Sequence, residues 1–304
     1  MDSVPAEILT SILVRLADKD RLAASYTCQR WFRVLLPLLP RVSTLSISLD
    51  SVSCHAQLFN DKNNDASVIV CLCPSHANSH AAILKHFLSN AGSQINTLVI
   101  DDDYISKETT NPHLADVFFH SLFSYVPENL SELHLHGVDL SLVRPWSFAL
   151  ISKFHSLRAL TISGSALPLN SESFTARLLA STFHSLTNID LSYNDQVTDK
   201  LVGILARRCP YLEDINLSNC GQVTALSLVI FCESALNRSA EMLTANIGST
   251  SFDLHMLERY IASPLLSGGN DWVATSLKLE IGYSRDAICL QNTRYNHLMI
   301  VALF

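Results

Sequence analysis

The chain has 304 residues, with 21 Lys and Arg against 28 Asp and Glu, a formal charge of −7 and no basic run, which argues against nucleic acid as a partner because duplex affinity comes largely from cationic side chains. It is 48% apolar and only 16% charged, where an ordinary soluble domain has roughly 25%, so it has enough apolar material for a core and is not expected to be disordered. Nine glycines, with no G-x-G-x-x-G, no G-x-x-x-x-G-K-S/T, no H-E-x-x-H and no G-x-S-x-G, leave no signature of nucleotide, zinc-protease or serine-hydrolase chemistry.

The opening MDSVPAEILTSILVRL carries an acid at position 2, and Arg15 closes its apolar stretch, so it does not read as a secretory leader. No apolar run approaches the ~20 residues needed to cross a bilayer. Eight cysteines are too dilute for a disulfide scaffold and are expected to be small buried hydrophobes in a reducing compartment, cytoplasmic or nuclear. Within the opening segment Pro5 suits a first helical turn, because its missing N–H is an orphan there anyway. Ile8, Leu9, Ile12, Leu13 and Leu16 then form a helical stripe, and Asp18 or Asp20 can cap a second helix. A module of about 40 residues is marginal alone, so part of its apolar surface is expected to be covered by something else.

Weak strand patterns follow at STLSI (43–47), VIVCL (68–72) and INTLVI (95–100). Cys71, Cys73, His76 and His80 have a spacing with four potential zinc ligands, but zinc knuckles use C-x-x-C, and no metal or other cofactor is expected. The clear signal comes next. LSELHL (130–135), LRALTI (157–162), LTNIDL (186–191) and LEDINL (212–217) share the template apolar-x-x-apolar-x-apolar. Their central residues Leu133, Leu160, Ile189 and Ile215 are 27, 29 and 26 positions apart. Asn194 and Cys220 stand three residues past the last apolar position of the two best copies, where a leucine-rich repeat uses Asn or Cys to bond the backbone as the chain leaves its strand.

After LTNIDLSYN the period turns helical: Val197, Leu201, Ile204 and Leu205 share a face, Thr198 is the expected N-cap with Asp199 in the first turn, and Pro210 cannot continue the helix. A strand, a turn and a helix every 26 to 29 residues bury their apolar edges only by stacking, which predicts an α/β solenoid with a curved parallel sheet inside and helices outside. Residues 239–304 read as degenerate terminal repeats and a cap, with SAEMLTANIGSTSF a worn copy, Gly268 and Gly269 a loop, and SLKLEI (276–281) a further weak copy or terminal strand.

Strand alternation assigns the outward positions of the concave face: Val99 and Asp101; Glu132, His134 and His136; Thr161 and Ser163; Asn188, Asp190 and Ser192; Asp214, Asn216 and Ser218. Of these, Asp101, Glu132, His134, His136, Thr161, Asp190, Ser192, Asp214 and Asn216 are the candidate contacts for a protein ligand, and the acids favour a basic or hydroxyl-rich one. His134 and His136 lack a third ligand and read as recognition residues rather than a metal pair.

The stretch LTNIDLSYNDQVTDKLVGILARRCPYLEDINLSNCGQVTALSL resembles the cysteine-containing class of leucine-rich repeats, and VPAEILTSILVRLADKDRLAASYTCQRWFRVLL resembles an F-box. Pro5, Glu7, Ile8, Leu9, Ile12, Leu16, Leu22, Cys28 and Trp31 fit the F-box pattern; Val4 stands for its usual Leu and Thr27 for its usual Val. The combination resembles the F-box/leucine-rich-repeat receptors of SCF ubiquitin ligases, in particular their S-phase kinase-associated branch, through an ungapped F-box and VIVCLCPSHANSHAAILKHF; the likeness fades beyond about residue 236. It implies a short three-helix F-box at 1–40 and repeats at 41–238. It implies that Pro5, Ile8, Leu9, Ile12, Leu16, Leu22, Cys28 and Trp31 bind the S-phase kinase-associated adaptor, and through it a cullin-RING scaffold, while the repeats hold the protein to be ubiquitinated for proteasomal degradation, in a cell-cycle setting. Such a subunit is not itself an enzyme, and neither nucleic acid nor membrane is among its expected partners. The competing reading is a leucine-rich-repeat interaction scaffold whose N-terminal helices only cap the solenoid.

Overall fold

The computed structural model describes residues 4–16, 43–49, 58–61, 65–70, 95–102, 112–165, 184–234, 242–248, 272–281, 283–292 and 298–303, with isolated positions between them such as Ala24, Trp31 and Val34. Leu22, Cys28 and the Cys71, Cys73, His76 and His80 set lie outside the described residues. The chain forms two compact units, Met1–Leu130 with Leu142–Leu150, and Ser131–Ser141 with Ile151–Phe304.

In the first unit helix α1 (Ala6–Leu13) begins directly after Pro5, whose carbonyl accepts the Leu9 N–H at 3.1 Å. Its apolar stripe is divided. Leu9 and Leu13 are buried with Ala24, and Val4, Leu16, Trp31 and Val34 pack against that cluster. Ile8 and Ile12 are 52% and 54% exposed. Asp20, Ala24, Trp31 and Val34 are helical.

Strands β1 (Thr44–Leu49), β2 (Leu58–Asp61), β3 (Asp65–Val70) and β4 (Thr97–Asp102) form the unit's sheet in the order β2-β3-β1-β4. β1 is parallel to both β3 and β4, pairing Leu45 with Leu98 and Ile47 with Ile100. This is not the plain succession expected of three weak copies: β2, which the apolar pattern did not suggest, is antiparallel to β3. Only residues 62–64 join β2 to β3, a connection that favours an antiparallel neighbour, whereas a parallel one needs a longer crossover. Helix α2 (Pro112–Tyr125) buries Phe118, Phe119, Leu122 and Phe123, with Phe118 and Phe119 edge to face at 5.3 Å. Its Asp116 accepts the Arg144 N–H at 2.9 Å just ahead of the short helix α3 (Pro145–Phe148).

The second unit carries the clear repeats. β5 (Glu132–His136), β6 (Ala159–Ser163), β7 (Asn188–Asp190), β8 (Asp214–Asn216) and β9 (Met242–Asn246) pair in parallel and in chain order. Leu133 pairs with Leu160, Leu160 with Ile189, Ile189 with Ile215 and Ile215 with Ala245. The sequence period is thus the hydrogen-bonding register, and the worn copy after residue 239 supplies a fifth rung. All five of these side chains are 2% exposed or less. At the close of each strand from β5 to β8 one residue takes positive φ, at Gly137, Gly164, Tyr193 and Asn219, two places after Leu135, Ile162, Leu191 and Leu217. At Gly164 an added side chain would be strained at φ +60.

Helix α4 (Asp199–Arg208) starts as expected, with the Thr198 hydroxyl accepting the Leu201 N–H. It buries Leu201, Val202, Leu205 and Ala206, while Ile204 sits at the half-buried edge. Asp199 then organises the next repeat, accepting from the Thr224 N–H at 2.8 Å, the Thr224 hydroxyl at 2.6 Å and the Ser227 hydroxyl at the start of α5 (Ala225–Ser234).

The C-terminal strands are longer than a repeat strand: β10 (Trp272–Ile281), β11 (Tyr283–Asn292) and β12 (Leu298–Leu303). β12 lies parallel to β9, and β11 and β10 follow antiparallel. SLKLEI therefore belongs to a terminal antiparallel strand and not to another repeat, as fits its unbroken alternation and the single residue between β10 and β11.

Candidate functional site

Two surfaces bring the sequence candidates together, one in each unit. On α1, residues 8 and 12 are one helical turn apart and share a face, so the exposed side chains of Ile8 and Ile12 make a continuous apolar step beside exposed Pro5. Leu9, Leu16 and Trp31, placed with them by the sequence, turn to the module's own cluster instead.

The second surface is the open face of β5 to β9. Because the strands are in register, the outward residues form rows across the sheet. One row is Glu132, Ala159, Asn188, Asp214 and Thr244; the other is His134, Thr161, Asp190, Asn216 and Asn246. Both rows line one open groove of about 580 Å³. Among the described residues three carboxylates, those of Glu132, Asp190 and Asp214, border it, and no Lys or Arg does.

The polar side chains are tied along the rows. The Asn188 Nδ2 donates to Asp214 Oδ2 at 2.8 Å, and the Asn216 Nδ2 donates to Asp190 Oδ2 at 3.0 Å. Each amide is pinned at its other end, Asn188 Oδ1 by the Thr187 hydroxyl and Asn216 Oδ1 by the N–H and hydroxyl of Ser218. Asp190 also accepts the Ser192 N–H at 2.8 Å. These bonds fix the carboxylates without neutralising them, and among the described residues neither Asp190 nor Asp214 has an ion-pair partner. At the β5 end His134 Nδ1 lies 2.8 Å from the Thr161 hydroxyl, His134 Nε2 lies 3.6 Å from Glu132 Oε2, and the His134 and His136 rings are parallel at 6.1 Å.

Three expected positions are placed differently, of which His136 is exposed at the end of β5 and does not line the groove. Ser192 is only 3% exposed, with its hydroxyl 3.0 Å from that of Ser163, so it closes the end of its strand and does not line the groove. Asp101 is exposed on β4, in the first unit. Thr244 and Asn246 line the groove but were not assigned outward positions in the sequence; the alternation of Leu243, Ala245 and Ile247 around them was the available signal.

Behind the face runs a line of bonds that holds the rungs in place. Asn194 donates from its amide to the carbonyls of Ile162, Leu191 and Ser192, Cys220 donates to the Leu191 carbonyl at 3.1 Å, and the Ser165 hydroxyl occupies the same place toward Leu135. Burial pushes the Cys220 thiol up to about 11, with the nearby Asp190 and Asp195 acting in the same direction against the Asn194 bond. Burial alone takes the Cys209 thiol to about 12. Neither is therefore an activated nucleophile. Among the described residues no three His, Cys, Asp or Glu side chains are gathered as a metal site, and no helix is long and apolar enough to cross a membrane.

Neither a protein-family model nor a curated protein sequence matches the chain. Among solved structures it is similar to the leucine-rich repeat-containing protein LegL7 from Legionella pneumophila, at 13% identity and a TM-score of 0.41, over 82% of this chain and 68% of that one. The chain's own repeats share one hydrogen-bonding register and an Asn and Cys ladder at the close of their strands.

Proposed function

We propose that the chain is the substrate-recognition subunit of an SCF-type cullin-RING ubiquitin ligase, with α1 docking the adaptor and the open face of the repeats holding the protein to be modified. The observation that carries this reading is the divided stripe of α1. Leu9 and Leu13 serve the module's own core, while Ile8 and Ile12, one turn apart, are left half in water. Fully covering a side chain of that size is worth about 1.5–3 kcal/mol, so two of them beside Pro5 can anchor a partner. The subunit does no bond chemistry of its own. It raises the effective concentration of a client's lysines near the charged ubiquitin-conjugating enzyme and orients them.

The test is co-expression with the S-phase kinase-associated adaptor. A stoichiometric complex is expected for the parent chain, and the Ile8→Asp, Ile12→Asp double variant should lose it while keeping its thermal midpoint, since both positions face water. Failure of the folded parent chain to hold the adaptor rejects the ligase reading. In that event the polar groove still supports the second reading, a repeat-based interaction scaffold.

A further inference from the structure

The groove on the open face has a chemistry more specific than a polar surface. We infer that it receives an extended peptide segment of the client, laid across strands β5 to β8, whose Arg or Lys side chains meet Glu132, Asp190 and Asp214. This names a client class for the face that the proposed function assigns to substrate, and in that respect it rests on that reading.

Four observations converge. The groove has the volume of a peptide-sized cleft, about 580 Å³, and lies open on an unpartnered sheet face. Among the described residues its charged lining is three carboxylates with no Lys or Arg, so the field they set over it has one sign. Asp190 and Asp214 are held by Asn216 and Asn188, whose amides are pinned at their oxygens and therefore cannot turn to offer a different pattern. An ionised carboxylate accepts at about four lone-pair sites. Among the described residues, hydrogen bonds occupy two at Asp190, from Ser192 and Asn216, and one at Asp214, from Asn188, leaving acceptor capacity for a guanidinium or ammonium. A carboxylate oriented before the ligand arrives spares the cost of ordering it on binding.

Geometry sets the spacing of the basic residues. Adjacent strands lie about 4.8 Å apart, and an extended chain advances about 3.3 Å per residue, so one strand of travel takes one or two peptide residues and two strands take about three. Asp190 and Asp214 sit on neighbouring strands, and Glu132 sits two strands before Asp190. Side chains of an extended chain alternate, so basic residues at i, i+2 and i+4 share the face turned to the sheet; they recur at intervals of about 6.6 Å and span about 13 Å, close to the about 14 Å of three strand steps from Glu132 to Asp214, with the long Arg or Lys side chains taking up the difference. Thr161, Asn188 and Asn216 lie between the charges, where hydroxyl and amide groups suit peptide N–H and C=O partners.

The experiment is fluorescence anisotropy with the full chain and labelled synthetic peptides of about eight residues, Arg at the stated spacing in a Ser/Ala background, beside versions with Glu or Ala in place of Arg. The Arg peptide is expected to bind, the Ala peptide about tenfold more weakly and the Glu peptide not at all, with affinity falling between about 50 and about 300 mM salt. Asp214→Asn keeps an acceptor for Asn188 and removes the charge, so it should weaken the Arg peptide about tenfold with no change in thermal midpoint, and Asp190→Asn added to it should weaken binding further. Equal binding of Arg and Glu peptides, binding of neither, or self-association of the chain that Asp214→Asn abolishes overturns the inference. Adaptor capture is measured on the same preparations: loss of capture with Arg-peptide binding retained rejects the ligase reading alone, and the converse rejects the client class alone.

Discussion

Asn194 and Cys220 occupy equivalent places in successive repeats, and each reaches back to a carbonyl at the end of the preceding strand, Asn194 to Ile162 and Cys220 to Leu191. The two N–H groups of the Asn194 amide are shared among three carbonyls, while Cys220 donates chiefly to one, through a weaker donor. Asn194→Ala should therefore cost about 3 kcal/mol in urea denaturation and Cys220→Ala about half of that, since stranded buried carbonyls carry the desolvation penalty. Asn194→Cys should recover part of the loss by restoring the donor used one repeat later. Equal losses for the two alanine variants would show that the ladder is not held by donor strength.

The two sides of α1 should respond in opposite ways. Leu13→Ala, at a position 1% exposed, is expected to cost about 2–5 kcal/mol, and Ile12→Ala, at 54%, no more than about 0.5 kcal/mol. Denaturant midpoints of the two single variants check this without any partner present.

Asp199 is the single acceptor for three donors at the start of α5. Asp199→Ala strands the Thr224 N–H and two hydroxyls and should lower stability by about 2 kcal/mol, with Asp199→Asn intermediate. Amide hydrogen exchange should show the loss concentrated in residues 223–234.

The buried thiols fix the sign of an alkaline effect. Cys209 keeps its proton to about 12 in the folded chain, whereas an exposed thiol loses it near its ordinary 9.0. Above pH 9 the unfolded state sheds a proton that the native state retains, so this contribution is complete below pH 9 and is lost progressively as pH rises toward 12. The denaturation midpoint should fall over that window, and Cys209→Ala should flatten the fall while lowering the plateau. Alkylation mapped by mass spectrometry at pH 8 should leave Cys209 and Cys220 unmodified until the chain is unfolded.

How far these features could be read from the residues depended on whether one interaction dominated. The rungs from Leu133 to Ile215 were legible because a single alternation places the apolar residue inside and its neighbours outside, and pairing then has no freedom of register. Asn194 and Cys220 were legible through their fixed distance from the strand. The order of β1 and β3 was not, since short apolar runs do not say which neighbour they take, and the β2–β3 hairpin that sets it carries no apolar repeat. Ser192 obeys the alternation yet is covered by Ser163, a contact between strands that no single strand displays. For α1 the periodicity marked Ile8, Leu9, Ile12, Leu13 and Leu16 as one broad stripe; its division between Leu9 and Ile8 required the position of Ala24 and Trp31.

Asn188 and Asp214 stand in one row while Asp190 and Asn216 stand in the next, so a half-turn about the sheet normal exchanges amide for amide and acid for acid. This pseudo-dyad offers a bound chain the same chemistry in either heading. Further out the equivalence breaks, mildly where Ala159 answers Asn246 and with a charge at the β5 end, where Glu132 and His134 stand, which makes that edge of the sheet the pointer that tells head from tail.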